Sequence, residues 1–173
     1  MMHLQFEAFY VISLEEIFWG GLLMAITMAT HGSGILMVLR VNHYIKMRLG
    51  TKTGLFVSLF PVILASCLIL LIHLFEVLIW ATFFVWKGVF YNQSLSFYFS
   101  LNEYTTVGSD VSLPLHWRLL EGLIAITGLL TFAWSTGLLI SLAQDFQDQQ
   151  IALFKRRRKR EIGEESKASS SSV

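Results

Sequence analysis

A single cysteine, Cys67, in 173 residues rules out an internal disulfide framework, and its place inside an apolar run makes it a small packing side chain. Charge is scarce too. Asp, Glu, Lys and Arg make up 14% of the chain against 54% hydrophobic residues, and one soluble core of this size cannot hide that much apolar surface. No row of arginines is present to serve as a voltage sensor. No nucleophile, base and orienting group stand at a working spacing, so enzymatic chemistry is not expected. Nor is a resident cofactor, a metal centre or a nucleic-acid partner.

What is present is apolar length. A bilayer core about 30 Å thick takes about 20 residues of helix, and three runs reach that length: Ile17 to Leu39, Leu55 to Trp86 and Leu119 to Ala143. The first holds no formal charge, the second only Glu76 and the third only Glu121. Glu7, Glu15 and Glu16 precede the first run where a secretory signal would carry basic residues, so that run is expected to stay in the protein. The expected class is an all-α membrane protein with three transmembrane helices.

The net charge of +1 hides an asymmetry. Arg40, Lys46, Arg48 and Lys52 crowd the link after the first run, and "KRRRKR" from Lys155 to Arg160, with Lys167, follows the third. Only Lys87 and Arg118 remain for the other link. Basic residues accumulate on the cytoplasmic side, which predicts a multi-pass protein of the plasma membrane, or of the inner membrane in a bacterium, with the N-terminus outside and the C-terminus inside. The basic tail is suited to anionic lipid. The Ser-rich end after it lacks hydrophobic periodicity and is expected to be disordered. No nucleotide- or calcium-sensing domain is expected in the thirty residues after Ala143.

The link from Lys87 to Arg118 is too long for a tight turn and too apolar for a solvent loop. Ser94 to Tyr104, "SLSFYFSLNEY", reads as a short, largely buried helix with Asn92 and Ser94 available as caps. Thr105, Thr106, Val107, Gly108, Ser109 and Asp110 follow, a polar, glycine-bearing segment that cannot continue as a lipid-facing helix. Irregular backbone at membrane depth occurs only where it lines a wet path or lies buried in protein.

The order of apolar span, short helix, Thr-x-Gly segment, acid and apolar span resembles the pore loop of the potassium channel superfamily, in particular the small bacterial channels of the two-helix type. The resemblance covers about Leu68 to Leu142. It is carried by "YFSLNEYTTVG", by "WRLLEGLIAITGLLTFAWSTGLL" and, more weakly, by "HLFEVLIWA". It implies a re-entrant pore helix, a selectivity filter at Thr105 to Asp110 with Thr106, Val107 and Gly108 at its centre, and Asp110 as the acid of the outer mouth. It also implies a homotetramer that passes a monovalent cation, K⁺ in the family. Ser109 alone stands between Gly108 and Asp110, where the family has Tyr-Gly. Weak K⁺ selectivity is therefore expected, or a non-conducting regulatory or scaffold subunit with a channel-like fold.

The chain then divides into residues 1–54, an extra helix with a basic link; 55–145, a pore domain; and 146–173, a basic and then Ser-rich tail. His73 and Glu76 share a helical face and form a candidate intramembrane polar site. That site fits a polar pair ordering the bundle, or a proton-coupled transporter, a weaker reading without an inverted repeat. His31, Gly32, Ser33 and Gly34 suit close helix packing. Gly128 is a candidate hinge or packing position, Thr131, Ser135 and Thr136 face a wet cavity or bond back to their own helix, and Glu121 is placed to pair with Arg118 or a neighbouring subunit.

Overall fold

The computed structural model describes residues 13–49 and 55–171. Four helices follow in order: α1 (Leu14–Leu49), α2 (Leu55–Trp86), α3 (Gln93–Tyr104) and, after a 3₁₀ turn at Leu115–Trp117, α4 (Leu119–Ser171). No strand occurs among the described residues. Three segments, Leu14–Arg48, Leu59–Trp86 and Leu115–Lys155, are long and apolar enough to cross a membrane. The protein is therefore all-helical and suited to a bilayer. Glu7 and Lys52 lie outside the described residues.

α2 has the bounds of its apolar run. α1 extends beyond Leu39 through the basic residues to Leu49, because its polar last turns still bury Asn42 against the bundle. The disorder expected of the Ser-rich end after the basic stretch is corrected: α4 continues to Ser171. Nothing there breaks a helix except Gly163, and Lys, Arg, Glu and Ala are good helix formers. A boundary at residue 145 therefore falls inside a continuous helix.

α3 begins one residue earlier than expected, with Asn92 as its cap; Asn92 Oδ1 accepts the Ser94 N–H at 2.8 Å. It returns into the bundle between α2 and α4. Ser96 Oγ ties it to α2 by donating to the Ala81 carbonyl at 2.7 Å. The Tyr104 carbonyl lies directly against Gly128 of α4, where a methyl group would collide with it. α1 closes on α2 in the same way, since a Cβ on Gly34 would stand 2.6 Å from Ile72 Cδ1. Gly34, and Gly32 beside Trp134, are thus contact points of α1 as expected, whereas Ser33 is exposed.

Two apolar cores are stacked along the bundle. The larger, at the α3 end, gathers Trp80, Phe84, Phe99, Leu120 and Ile124, all fully buried, with Phe90 and Trp117. The smaller holds Ile35, Val38, Ala65, Ile69 and Leu142. At the α3 end Lys87 pairs with Glu15 at 3.1 Å and lies over the rings of Trp19, Trp86 and Trp117. That arrangement matches the amphipathic aromatic belt of a membrane interface. At the other end Lys46 pairs with Asp145 at 2.9 Å, which brings the basic end of α1 beside α4 and its basic continuation.

Candidate functional site

Two places carry polar chemistry: the loop after α3, and a layer between the two cores.

The loop begins where α3 runs out of helical partners. The N–H of Thr105 still reaches the Leu101 carbonyl at 3.0 Å, and Thr105 Oγ1 donates to the same oxygen at 2.9 Å. The N–H of Thr106 then bonds Glu103 O at 3.0 Å, those of Val107 and Gly108 share Asn102 O at 3.0 and 3.2 Å, and that of Ser109 reaches Glu103 Oε1 at 2.9 Å. Five consecutive N–H groups are therefore turned toward the C-terminal end of α3. Among the described residues the carbonyls of 105 to 109 accept no hydrogen bond. Thr106 has φ 62° and Gly108 φ 81°. Glycine takes such a φ freely, but a β-branched threonine there stores strain of about 1–3 kcal/mol. Val107 is 75% exposed on the single chain, and Asp110 is exposed as well.

Two carboxylates brace this turn. Burial, with some help from the nearby Glu121 charge, pushes the Glu103 carboxyl above the ordinary carboxylate range, while the Ser109 N–H opposes the shift. Glu121 Oε1 accepts the Leu113 N–H at 2.6 Å, so this residue holds the loop's return; no described ion pair joins it to Arg118.

The buried layer gathers side chains from every helix. Glu76, fully buried on α2, is hydrogen-bonded to His31 Nδ1 of α1 at 2.8 Å through Oε1 and accepts from the Tyr104 hydroxyl of α3 through Oε2. His73 Nδ1 lies 2.9 Å from the Tyr104 hydroxyl oxygen, and His73 Nε2 lies 3.1 Å from Ser135 Oγ of α4. Ser135 Oγ is in turn 3.2 Å from His31 Nε2, which closes a ring. Thr131 Oγ1 supports Tyr104 from outside the ring at 2.5 Å. Phe132 and Trp134 cover the two imidazoles, with ring centroids 4.5 Å from His73 and 5.5 Å from His31.

Counting protons defines the charge of the ring. Its five edges take five protons: Tyr104 and Ser135 supply one each, and Glu76 with the two histidines supplies three. Whether the third of these sits on the Glu76 carboxyl or on a second ring nitrogen of one histidine, the set sums to zero charge. A full ring without net charge is what a buried polar layer between apolar cores requires.

The loop residues Thr105 to Asp110 lie together at the end of α3, and His73 and Glu76 lie together in the layer. Tyr104 links the two places. Sequence reasoning named His31 only as part of a packing segment and Tyr104 only as a helix end. Their partners stand 45 and 28 residues from them along the chain, and only the register of one helix on another brings them together. Ser135 and Thr131 join the layer, Thr131 also bonding back to the Thr127 and Gly128 carbonyls at 3.1 and 3.0 Å, and Thr136 is exposed and bonds back to the Phe132 carbonyl at 2.8 Å. Gly128 is the seat of Tyr104. A comparison with protein-family models, curated proteins and solved structures finds no match for the chain.

Proposed function

We propose that the chain is one subunit of a cation-conducting pore-loop assembly, most simply a homotetramer, with α2, α3 and α4 forming the pore domain and α1 an added outer helix. One chain supplies one loop, and an axial path needs several related by closed cyclic symmetry. The observation that carries the reading is the backbone of residues 105 to 109: N–H groups tied back to α3, carbonyl oxygens left without partners, and positive φ at Thr106 and Gly108. Partnerless carbonyls are what replaces the hydration shell of an entering cation. The C-terminal end of α3, with its negative dipole, lies beside them.

With Ser109 where the potassium channel pattern has two residues, the loop offers a shorter queue of carbonyl rings. K⁺ and Na⁺ then pass with little discrimination. The basic link and tail belong in the cytoplasm and the loop outside, in the plasma membrane.

One observation favours a second reading, a non-conducting subunit with a channel-like fold. Val107 and Gly108 share a single acceptor, Asn102 O, so the loop curls over the end of α3 instead of extending away from it. Reconstitution in liposomes separates the two. Cation flux dissipating an imposed K⁺ or Na⁺ gradient supports conduction, and tight vesicles holding verified tetramers support the second reading.

A further inference from the structure

We propose that His31, His73, Glu76 and Tyr104 bind a divalent transition-metal ion of the zinc class, which ties α1, α2 and α3 together directly behind the loop. One ligand atom from each of His31, His73 and Glu76 can be chosen so that all lie within 4.8 Å of one another, and all three residues are buried. Both histidines turn the same nitrogen toward the carboxylate: His31 Nδ1 is 2.8 Å from Glu76 Oε1 and His73 Nδ1 is 3.5 Å from Oε2. The Tyr104 oxygen stands 2.9 Å from that His73 Nδ1 and bonds Glu76 Oε2. Zinc bonds of about 2.0–2.2 Å hold tetrahedral ligands about 3.3–3.6 Å apart. The His73 Nδ1–Glu76 Oε2 distance already fits that spacing, and the hydrogen-bonded pairs must open by about half an ångström or more as the ion displaces their protons.

The opposite edge of each imidazole supplies an independent reason. Both Nε2 atoms face one hydroxyl oxygen, Ser135 Oγ, at 3.1 and 3.2 Å. Serine has a single proton but two lone pairs. When Nδ1 of each ring holds a metal, each Nε2 carries the proton, and Ser135 accepts both bonds. A metal-bound histidine donates its other N–H to such an outer partner almost without exception. With the ion both rings are neutral and both bonds to Ser135 are kept.

Charge also balances. A dication, the Glu76 carboxylate, a Tyr104 phenolate and two neutral imidazoles sum to zero, so the ion enters as two protons leave to solvent and the layer stays uncharged between its apolar cores. Two imidazole nitrogens disfavour Mg²⁺ and Ca²⁺, and the lack of thiolate disfavours Cu⁺. Tyr104 is the last residue of α3, so the ion would fix the point from which Thr105 to Gly108 depart.

The test uses the full chain, purified in detergent, stripped with a chelator and titrated with Co²⁺ and Zn²⁺. The expected result is one Co²⁺ per chain with intense tetrahedral visible bands, displaced by Zn²⁺, and a higher Tm with Zn²⁺ than with chelator. His31→Gln and His73→Gln each abolish the bands, and Ser135→Ala weakens binding about 10–100-fold. Binding that survives in the His31→Gln/His73→Gln double variant places the ion elsewhere, at exposed His43 or His116, and overturns the proposal. Should the variants not fold, X-ray absorption of the zinc-loaded wild type decides. Two imidazoles with oxygen donors at about 2.0–2.2 Å support the site; a shell of oxygens alone, or no ion bound per chain, overturns it.

Discussion

The backbone carbonyl of Tyr104 rests against the α-carbon of Gly128, with no room between them for a methyl group. This contact seats the end of the short helix on the inner face of α4 and so sets where the loop begins. Gly128→Ala adds about 1 kcal/mol of intrinsic helix preference, yet it drives a methyl into a carbonyl that the buried ring of Tyr104 cannot release. Overpacking of this kind costs about 1–3 kcal/mol. A lower Tm in detergent is expected, and a raised Tm would show that α3 gives way freely.

Glu76 and Tyr104 are coupled through a hydrogen bond inside the buried ring. Tyr104→Phe leaves a carboxylate oxygen and His73 Nδ1 short of a partner, while Thr131 keeps its bonds to the Thr127 and Gly128 carbonyls; each buried group left unmet costs about 1–3 kcal/mol. Glu76→Gln replaces one oxygen of the ring with an amide donor and breaks the order of its hydrogen bonds. A double-mutant cycle of the two is expected to give a coupling of about 0.5–3 kcal/mol. Additive effects would mean that the ring does not act as a unit.

Much of this fold could be read in the residues before any coordinates. Apolar length placed all three long helices, with α2 ending at Trp86 as expected, and Asn92 announced the start of α3 by its side-chain chemistry. Short-range rules carry that information. The buried layer was legible only at His73 and Glu76, three residues apart on one helix. His31, Tyr104 and Ser135 complete it through the relative rotation of four helices, which no local pattern encodes. The helical tail was misread for a different reason: serine content suggested disorder, while the run of Lys, Arg, Glu and Ala before it sustains α4.

Glu103 makes the loop sensitive to pH. Its carboxyl is raised in the folded protein, chiefly by burial, so the native state holds this proton more tightly than the unfolded chain. Stability from this group then falls as pH rises from the ordinary carboxylate value of about 4.3 through the raised one. Glu103→Gln keeps an oxygen for the Ser109 N–H and removes the titration. Thermal scans from pH 4 to 8 are expected to show wild type losing Tm relative to this variant as pH rises; parallel curves would contradict the assignment.

Asp110 follows the loop directly and is exposed. If it lies at a pore mouth, its charge concentrates cations within a Debye length of about 10 Å at 0.1 M salt. Asp110→Asn is expected to lower conductance in dilute salt and to leave it nearly unchanged in concentrated salt. Equal conductance at every ionic strength would remove Asp110 from the path.

The measurement closest to the central claim is the reversal potential of the reconstituted protein between K⁺ and Na⁺ solutions, taken for wild type and for a variant with Tyr-Gly in place of Ser109. Wild type is expected to carry cation current with K⁺ preferred over Na⁺ by less than about tenfold, a difference under about 1.4 kcal/mol. The lengthened loop should sharpen that preference by restoring a ring of carbonyls. Strong K⁺ selectivity in the unaltered chain would contradict the shortened filter, and the absence of any cation current from an intact tetramer would contradict the pore itself.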